Sequence, residues 1–177
     1  MKIETNRLFL RELEQEDLDA VYTTLLADPM ILNQNPNLFV KDNVRELILR
    51  NIERYRIFGF GLWALCIKNT GEMIGACGLV MHKIDGFIRP EMQIYIRRDM
   101  QRKGFATEAA TAVCEWAFKN TTFHEIYTRL MFLNKDAKKE NNSATGHFTE
   151  TIEHGNNQHK TMYVIDKSEW EKISKKK

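Results

Sequence analysis

The residues in this chain best suited to chemistry are Gln101, Arg102, Lys103, Gly104, Phe105 and Ala106. They follow a short apolar strand pattern at 92–96 and open a strongly amphipathic helix pattern at 107–119. A strand that stops at a basic, glycine-containing turn and then starts a helix is suited to binding phosphate. The first N–H groups of a helix have no partner inside it and point at whatever lies ahead. The helix dipole adds partial positive charge at the same place. Gly104 lets a backbone approach an anion with no side chain in the way. Arg102 and Lys103 add full charges, or are plain surface cations on an ordinary loop. Neither G-x-x-x-x-G-K-[ST] nor G-x-G-x-x-G occurs in the chain, so the common nucleotide loops do not describe it.

The pattern that does fit is Q/R-x-x-G-x-G/A, met by Gln101, Gly104 and Ala106 and continued by Thr107, Glu108, Ala109 and Ala110. It resembles the pyrophosphate loop of the GNAT N-acetyltransferase superfamily, in its ribosomal-protein N-terminal (alanine/serine) acetyltransferase branch. The start, Thr5-Asn6-Arg7-Leu8-Phe9-Leu10-Arg11, is similar to that branch's T-x-R-L-x-L-R first strand. Glu91-Met92-Gln93-Ile94-Tyr95-Ile96 resembles its E-I-G-Y-W-L strand. The resemblance covers residues 3–134 well and the remainder unevenly.

What it implies is specific. The fold would be α/β (mixed α+β), with a mostly antiparallel mixed central sheet, a cleft for acetyl-CoA between splayed strands, and helices on both faces. Residues 1–177 would form one N-acetyltransferase domain. The activity would be transfer of acetyl from acetyl-CoA, a co-substrate, to a primary amine on a protein N-terminus or a small molecule. Residues Gln101, Arg102, Lys103, Gly104, Phe105, Ala106 and Thr107 would hold the diphosphate, with Asn134 alongside. Ile94, Tyr95 and Ile96 would lie against the pantetheine arm, one N–H facing the thioester oxygen.

Such a transfer has three requirements. The ammonium must lose a proton before it can attack, the tetrahedral oxyanion needs donors, and the departing thiolate needs stabilisation or a proton. Glu91 stands at the resembled family's glutamate position and is the candidate base, acting through a water. Beside apolar strand ends, desolvation would raise its pKa into a useful range; a strand-end glutamate in solvent is the alternative. Tyr127 is a spare candidate for the acid, although a strand tyrosine also reads as core or rim.

Composition narrows the classes. A length of 177 residues with 43% hydrophobic residues is ordinary for one globular domain. Net charge is +2, with 26 Lys and Arg against 24 Asp and Glu, which does not imply nucleic acid. Three of the cations form the Lys175, Lys176 and Lys177 tail. No apolar run approaches the ~20 residues of a membrane helix, and residues 1–5 lack a signal-peptide core, so a cytoplasmic protein is expected. Cys66, Cys77 and Cys114 sit in apolar patterns without CxxC spacing and read as buried small hydrophobes. His147, His154 and His159 lie near Glu153, but their spacing does not place ligands on one short element; loop histidines are expected, with no metal.

The positioning elements follow from periodicity. Strands are expected at 5–11, 62–67, 73–79, 92–96, 126–133 and 161–165, and helices at 14–28, 42–57 and 107–119 with a short one from Lys167. Asp42 or Asn43 would cap the second helix, Phe58 to Gly61 would break the chain, a hairpin turn would fall at Asn69–Glu72, and a loop around Asp85-Gly86 would lead to the strand ending at Ile96.

After Asn134 the resemblance weakens. Ala137 stands where the family has serine, and from Lys135 to Thr145 only Ala137 and Ala144 are apolar, so a packed helix has no face to bury. That departure motivates a second hypothesis, a catalytically impaired CoA-binding sensor or interaction module.

Overall fold

The computed structural model describes residues 2–26, 40–129, 147–154 and 158–174. They form a mixed α/β structure of eight strands with helices between them, and two compact units can be distinguished: Met1–Leu79 with Gln93–Val113, and Val80–Met92 with Cys114–Lys177.

The first unit opens with β1 (Lys2–Glu4) and β2 (Leu8–Arg11) in place of the single expected strand. They pair antiparallel, Ile3 opposite Leu10. The chain turns between them because Thr5 closes a local loop: Thr5 N–H donates to Leu8 O at 2.9 Å, and Leu8 N–H to Thr5 Oγ1 at 2.9 Å. A short 3₁₀ turn (Gln15–Asp17) leads into α1 (Leu18–Leu26). Arg11 grips Asp17 with two hydrogen bonds of 2.7 Å.

Helix α2 (Lys41–Phe58) begins after Val40, so Asp42 and Asn43 lie in its first turn and do not cap it. Asp42 instead pairs with Arg45 at 2.6 Å. The helix stops at Gly59, whose left-handed φ of 75° lets its N–H return to Tyr55 O at 3.0 Å. Its last turns latch the next strand: Asn51 Oδ1 accepts from Leu62 N–H at 2.8 Å, and Tyr55 Oη donates to Leu62 O.

Strand β3 (Leu62–Ile67) is buried along almost its whole length, as its unbroken apolar sequence requires. It runs antiparallel to β2 and to β4 (Met73–Ile84), which is longer than the sequence pattern indicated. Leu13, Val21, Leu25, Val44, Ile48, Ala64 and Cys66 form the core of this unit, with Phe9, Leu18, Tyr22 and Tyr95 packed against it.

Strand β5 (Phe87–Ile96) follows a two-residue turn in which Asp85 and Gly86 take φ of 50° and 81°, the geometry of a tight hairpin. Strands β4 and β5 contribute to both units, as does α3 (Phe105–Asn120). In the second unit β5 pairs parallel with β6 (Glu125–Thr128), Glu91 opposite Tyr127 and Met92 opposite Thr128. Strand β6 pairs antiparallel with β8 (Gln158–Asp166), which pairs with β7 (His147–His154). The strand expected at 126–133 is described only to Thr128. Ile84, Tyr127, Met162 and Val164 form a core here. Helix α4 (Lys167–Ser174) is capped by Asp166, whose Oδ1 accepts from Ser168 and Glu169 N–H, and it sets Trp170 against Phe118, ring centroids 6.3 Å apart.

Candidate functional site

In the first unit the candidate anion loop is built as a braced turn. A 3₁₀ turn (Arg98–Met100) carries the chain from β5 to Gln101, whose side-chain amide donates back to Ile96 O at 2.9 Å. The glutamine of the motif thus closes the loop onto its strand. Arg102 (φ 61°) and Gly104 (φ 83°) are both left-handed. Successive turns of this kind aim backbone N–H groups into one concavity. Helix α3 starts at Phe105, and Glu108 N–H donates to Gly104 O at 3.1 Å as its first turn closes. Arg102, Lys103 and Gly104 are exposed, Phe105 and Ala106 half-buried, and Thr107 exposed.

Arg7 and Glu108 hold this loop from behind. Glu108 Oε1 accepts from Thr5 Oγ1 at 2.6 Å and from Arg7 N–H at 2.8 Å, and Oε2 accepts from Arg7 Nε at 2.6 Å. Arg7 Nη1 donates to Lys103 O at 3.1 Å, and its guanidinium lies 4.5 Å over the Phe105 ring. Burial alone would raise the Glu108 carboxyl, but hydrogen bonds from Thr5 and Arg7 hold it below the usual glutamate range. A methyl on Gly104 would reach Arg7 Nη2 at 3.4 Å, so a guanidinium borders the space above that glycine. A diphosphate fits this setting: left-handed backbone, a helix start, and cations at Arg7, Arg102 and Lys103.

Strand β5 leads into the loop. Arg97 N–H donates to Ile74 O at 2.8 Å, and Tyr95 O faces the backbone of Gly75, so both turn toward β4. Alternation along a strand turns the backbone groups of Ile94 and Ile96 to the opposite edge. Ile94 and Ile96 are buried; the Tyr95 side chain is half-buried, its hydroxyl 3.2 Å from Gln93 Oε1.

The second unit contains a carboxylate centre. Glu91 is 3% exposed. Its Oε2 lies 2.5 Å from His82 Nδ1, and its Oε1 lies 2.9 Å from Arg129 Nε, an ion pair without a well-aimed N–H. The surroundings of Glu91 are therefore polar on both oxygens rather than the apolar strand end the sequence indicated. His82 has no counterpart in the sequence reading. A local signal was present: with a two-residue turn at Asp85-Gly86, strand alternation places positions 82, 84, 87, 89 and 91 on one face.

Tyr127 belongs to a neighbouring network. Its hydroxyl donates to Glu125 Oε2 at 2.8 Å and accepts from Arg89 Nη1, and Arg89 reaches Glu125 at 3.0 Å. Burial and the bond to Glu125 push the phenol up to about 12. Arg89 also lies 4.8 Å over the Tyr127 ring.

Asn134, residues 135–146 and residues 27–39 lie outside the described residues, as does the Lys175–Lys177 tail. His147 and His154 belong to β7 and His159 to β8, where Glu153 pairs with His159 in register, so these histidines are on strands and not in loops. Cys66, Cys77 and Cys114 are buried thiols, and burial pushes the Cys66 and Cys77 groups above their ordinary range. Among the described residues no helix is long and apolar enough to cross a membrane, and no group of His, Cys, Asp and Glu could hold a metal ion.

Residues 7–139 match the family model described as acetyltransferase (GNAT) domain. An uncharacterized N-acetyltransferase, YnaD, of Bacillus subtilis is 27% identical over 180 residues, covering 96% of this chain and 99% of that protein. The fold is similar to that of an acetyltransferase from Agrobacterium tumefaciens, with a TM-score of 0.71 at 20% identity over 94% of this chain and 95% of the other. It is also similar to RimL, a ribosomal L7/L12 alpha-N-protein acetyltransferase solved with coenzyme A, with a TM-score of 0.68 at 15% identity over 94% of this chain and 98% of the other.

Proposed function

This chain belongs to the acetyltransferase (GNAT) domain family, and on that premise we propose that it transfers an acetyl group from acetyl-CoA to a primary amine. The observation that carries the proposal is the loop at 101–107, braced by Arg7, Glu108 and Gln101 with left-handed backbone at Arg102 and Gly104.

The backbone at the head of α3, with Arg102 and Lys103, binds the coenzyme diphosphate. Gln101 and Glu108 keep that backbone in place. Ile94, Tyr95 and Ile96 receive the pantetheine arm, the Ile94 and Ile96 edge supplying N–H groups for the arm and for the thioester oxygen. The family motif assigns Asn134 to the same coenzyme. Proton removal from the ammonium falls to the centre at Glu91. Holding the amine and the thioester together supplies most of the acceleration.

Tyr127 serves this scheme poorly as an acid. Its proton is already held by Glu125, and a phenol pushed up to about 12 gives a proton to a thiolate reluctantly.

The acceptor class we favour is a protein N-terminal amine, supported by the motif resemblance and by the solved neighbour whose name states that activity. A small-molecule amine is the alternative within the same chemistry. The setting is the cytoplasm.

Calorimetric titration with coenzyme A, followed by thiol release from acetyl-CoA in the presence of amines, tests the proposal. Saturable binding and amine-dependent thiol release are expected, with mass spectrometry naming the acetylated acceptor. Binding without release on any amine would favour the CoA-binding sensor instead.

A further inference from the structure

We propose that His82 is the group that takes the proton from the acceptor amine, and that Glu91 is its positioning residue. This rests on the acetyltransferase proposal above and refines the part assigned to the Glu91 centre.

Glu91 is poorly placed to meet an incoming amine. Its side chain is only 4% exposed, and each oxygen already faces a partner, His82 Nδ1 at 2.5 Å and Arg129 Nε at 2.9 Å. His82, in contrast, keeps 46% of its side chain exposed. An ionised carboxylate can only accept hydrogen bonds. The ring nitrogen beside it therefore carries the hydrogen, which fixes the Nδ1–H tautomer and leaves the Nε2 lone pair as the base. Arg129 completes the chain of positioning: it holds Glu91 Oε1 and leaves Oε2 for the imidazole.

The step balances without any further reagent. An R–NH₃⁺ acceptor gives one proton to His82 Nε2, making the imidazolium that Glu91 stabilises. The freed nitrogen lone pair forms the C–N bond to the thioester carbon, and the C–S bond then breaks with its electron pair going to sulfur. The second nitrogen proton passes to the thiolate by way of solvent. The imidazolium returns its proton to solvent, leaving amide, free thiol and one released proton.

The test uses the full chain, acetyl-CoA, and a panel of small primary amines and peptides beginning with alanine or serine. His82→Ala should lower kcat on the order of a hundredfold or more, while the Kd for coenzyme A stays within about twofold. Added imidazole should restore part of the lost turnover. Histidine ¹⁵N spectra of the wild type should show neutral His82 with hydrogen on Nδ1, and Glu91→Gln should mix the two tautomers.

Should His82→Ala retain turnover within about threefold of a competent wild type, the assignment to His82 is overturned and the acetyltransferase proposal stands. Hydrogen on Nε2 in the wild type overturns it equally. A wild type that binds coenzyme A but releases no thiol with any amine overturns it as well. A wild type with no heat on coenzyme A and no thiol release removes the acetyltransferase proposal, and this one with it.

Discussion

Arg7 Nε donates to Glu108 Oε2 at 2.6 Å, across 101 positions of sequence. The arginine comes from the turn between β1 and β2, and the glutamate from the first turn of α3. The two motifs that carried the family resemblance, one at the start of the chain and one after the loop, are thus two halves of one clamp. An acidic residue in the first turn of a helix is already favoured by the dipole. Here it also collects Thr5 and both the backbone and side chain of Arg7. Glu108→Ala should cost about 1–3 kcal/mol, because several donors lose a charged acceptor together. Arg7→Ala should weaken coenzyme A binding on the order of tenfold, equivalent to about 1.4 kcal/mol. Urea denaturation and calorimetry measure the two effects.

Gly104→Ala should lower both stability and affinity. At φ 83° an alanine is strained by about 1–2 kcal/mol, and its methyl would come into contact with Arg7 Nη2 at 3.4 Å. The expected signature is a weaker Kd for coenzyme A with a modest loss of Tm. An unchanged Kd would show that this glycine does not shape the anion site.

The clamp gives a pH dependence of definite sign. Glu108 is held below its ordinary range in the folded protein, against burial, by Thr5 and Arg7. Its contribution to stability is therefore fully present above the ordinary glutamate range, about 4.3, and is lost as pH falls through the lowered folded value. Asp17 has the same sign, burial again being outweighed by its hydrogen bonds from Arg11 and the Glu14 backbone. Denaturation followed from pH 7 to pH 3 should show falling stability at the acid end, and Glu108→Gln should flatten part of that fall.

Tyr127→Phe should leave turnover within about twofold on our proposal, in which the phenol that donates to Glu125 does not supply the reaction's proton. Arg89 and Glu125 pair directly at 3.0 Å and should stay paired without it. The cost in stability should be about 0.5–1.5 kcal/mol for one lost hydrogen bond. A large fall in kcat with intact coenzyme A binding would return Tyr127 to the acid role.

Gly78→Ala tests the strand scaffold. A methyl there would lie 2.0 Å from Gly61 O and 2.8 Å from Leu62 Cα, both backbone atoms that cannot swing away. Strands β3 and β4 would have to separate, and a loss above about 4 kcal/mol is expected, which marks a position of special geometry. Circular dichroism and thermal melting decide it.

The elements legible in the sequence were those with local grammar. The break after α2 could be located because Gly59 must be left-handed to end a helix, and a loop at Asp85-Gly86 because both residues tolerate positive φ, though not that it is a two-residue hairpin turn. Helix α3 followed from apolar spacing, although it begins at Phe105, two residues before the expected start. The missed features were non-local. Residues 5–11 alternate like one strand, and only the Thr5 hydrogen bonds to Leu8 reveal the turn. The cap expected at Asp42 or Asn43 failed because the helix begins directly after Val40, which puts both residues inside its first turn. Strand β7 had no apolar pattern to announce it.

By itself the chain order marked a candidate anion loop, since a glycine, two cations and a helix start are contiguous, while Arg7, which braces that loop, lies far away in sequence. It also settled that the thiols are buried, because the strands and helix that carry them are apolar. Only the tertiary structure decided which groups work as pairs. The register of a hairpin sets His82 on Glu91, and the fold of the first unit sets Arg7 on Glu108. A contact between side chains depends on strand pairing and helix placement, which are fixed by packing summed over the unit and leave no mark at either residue alone.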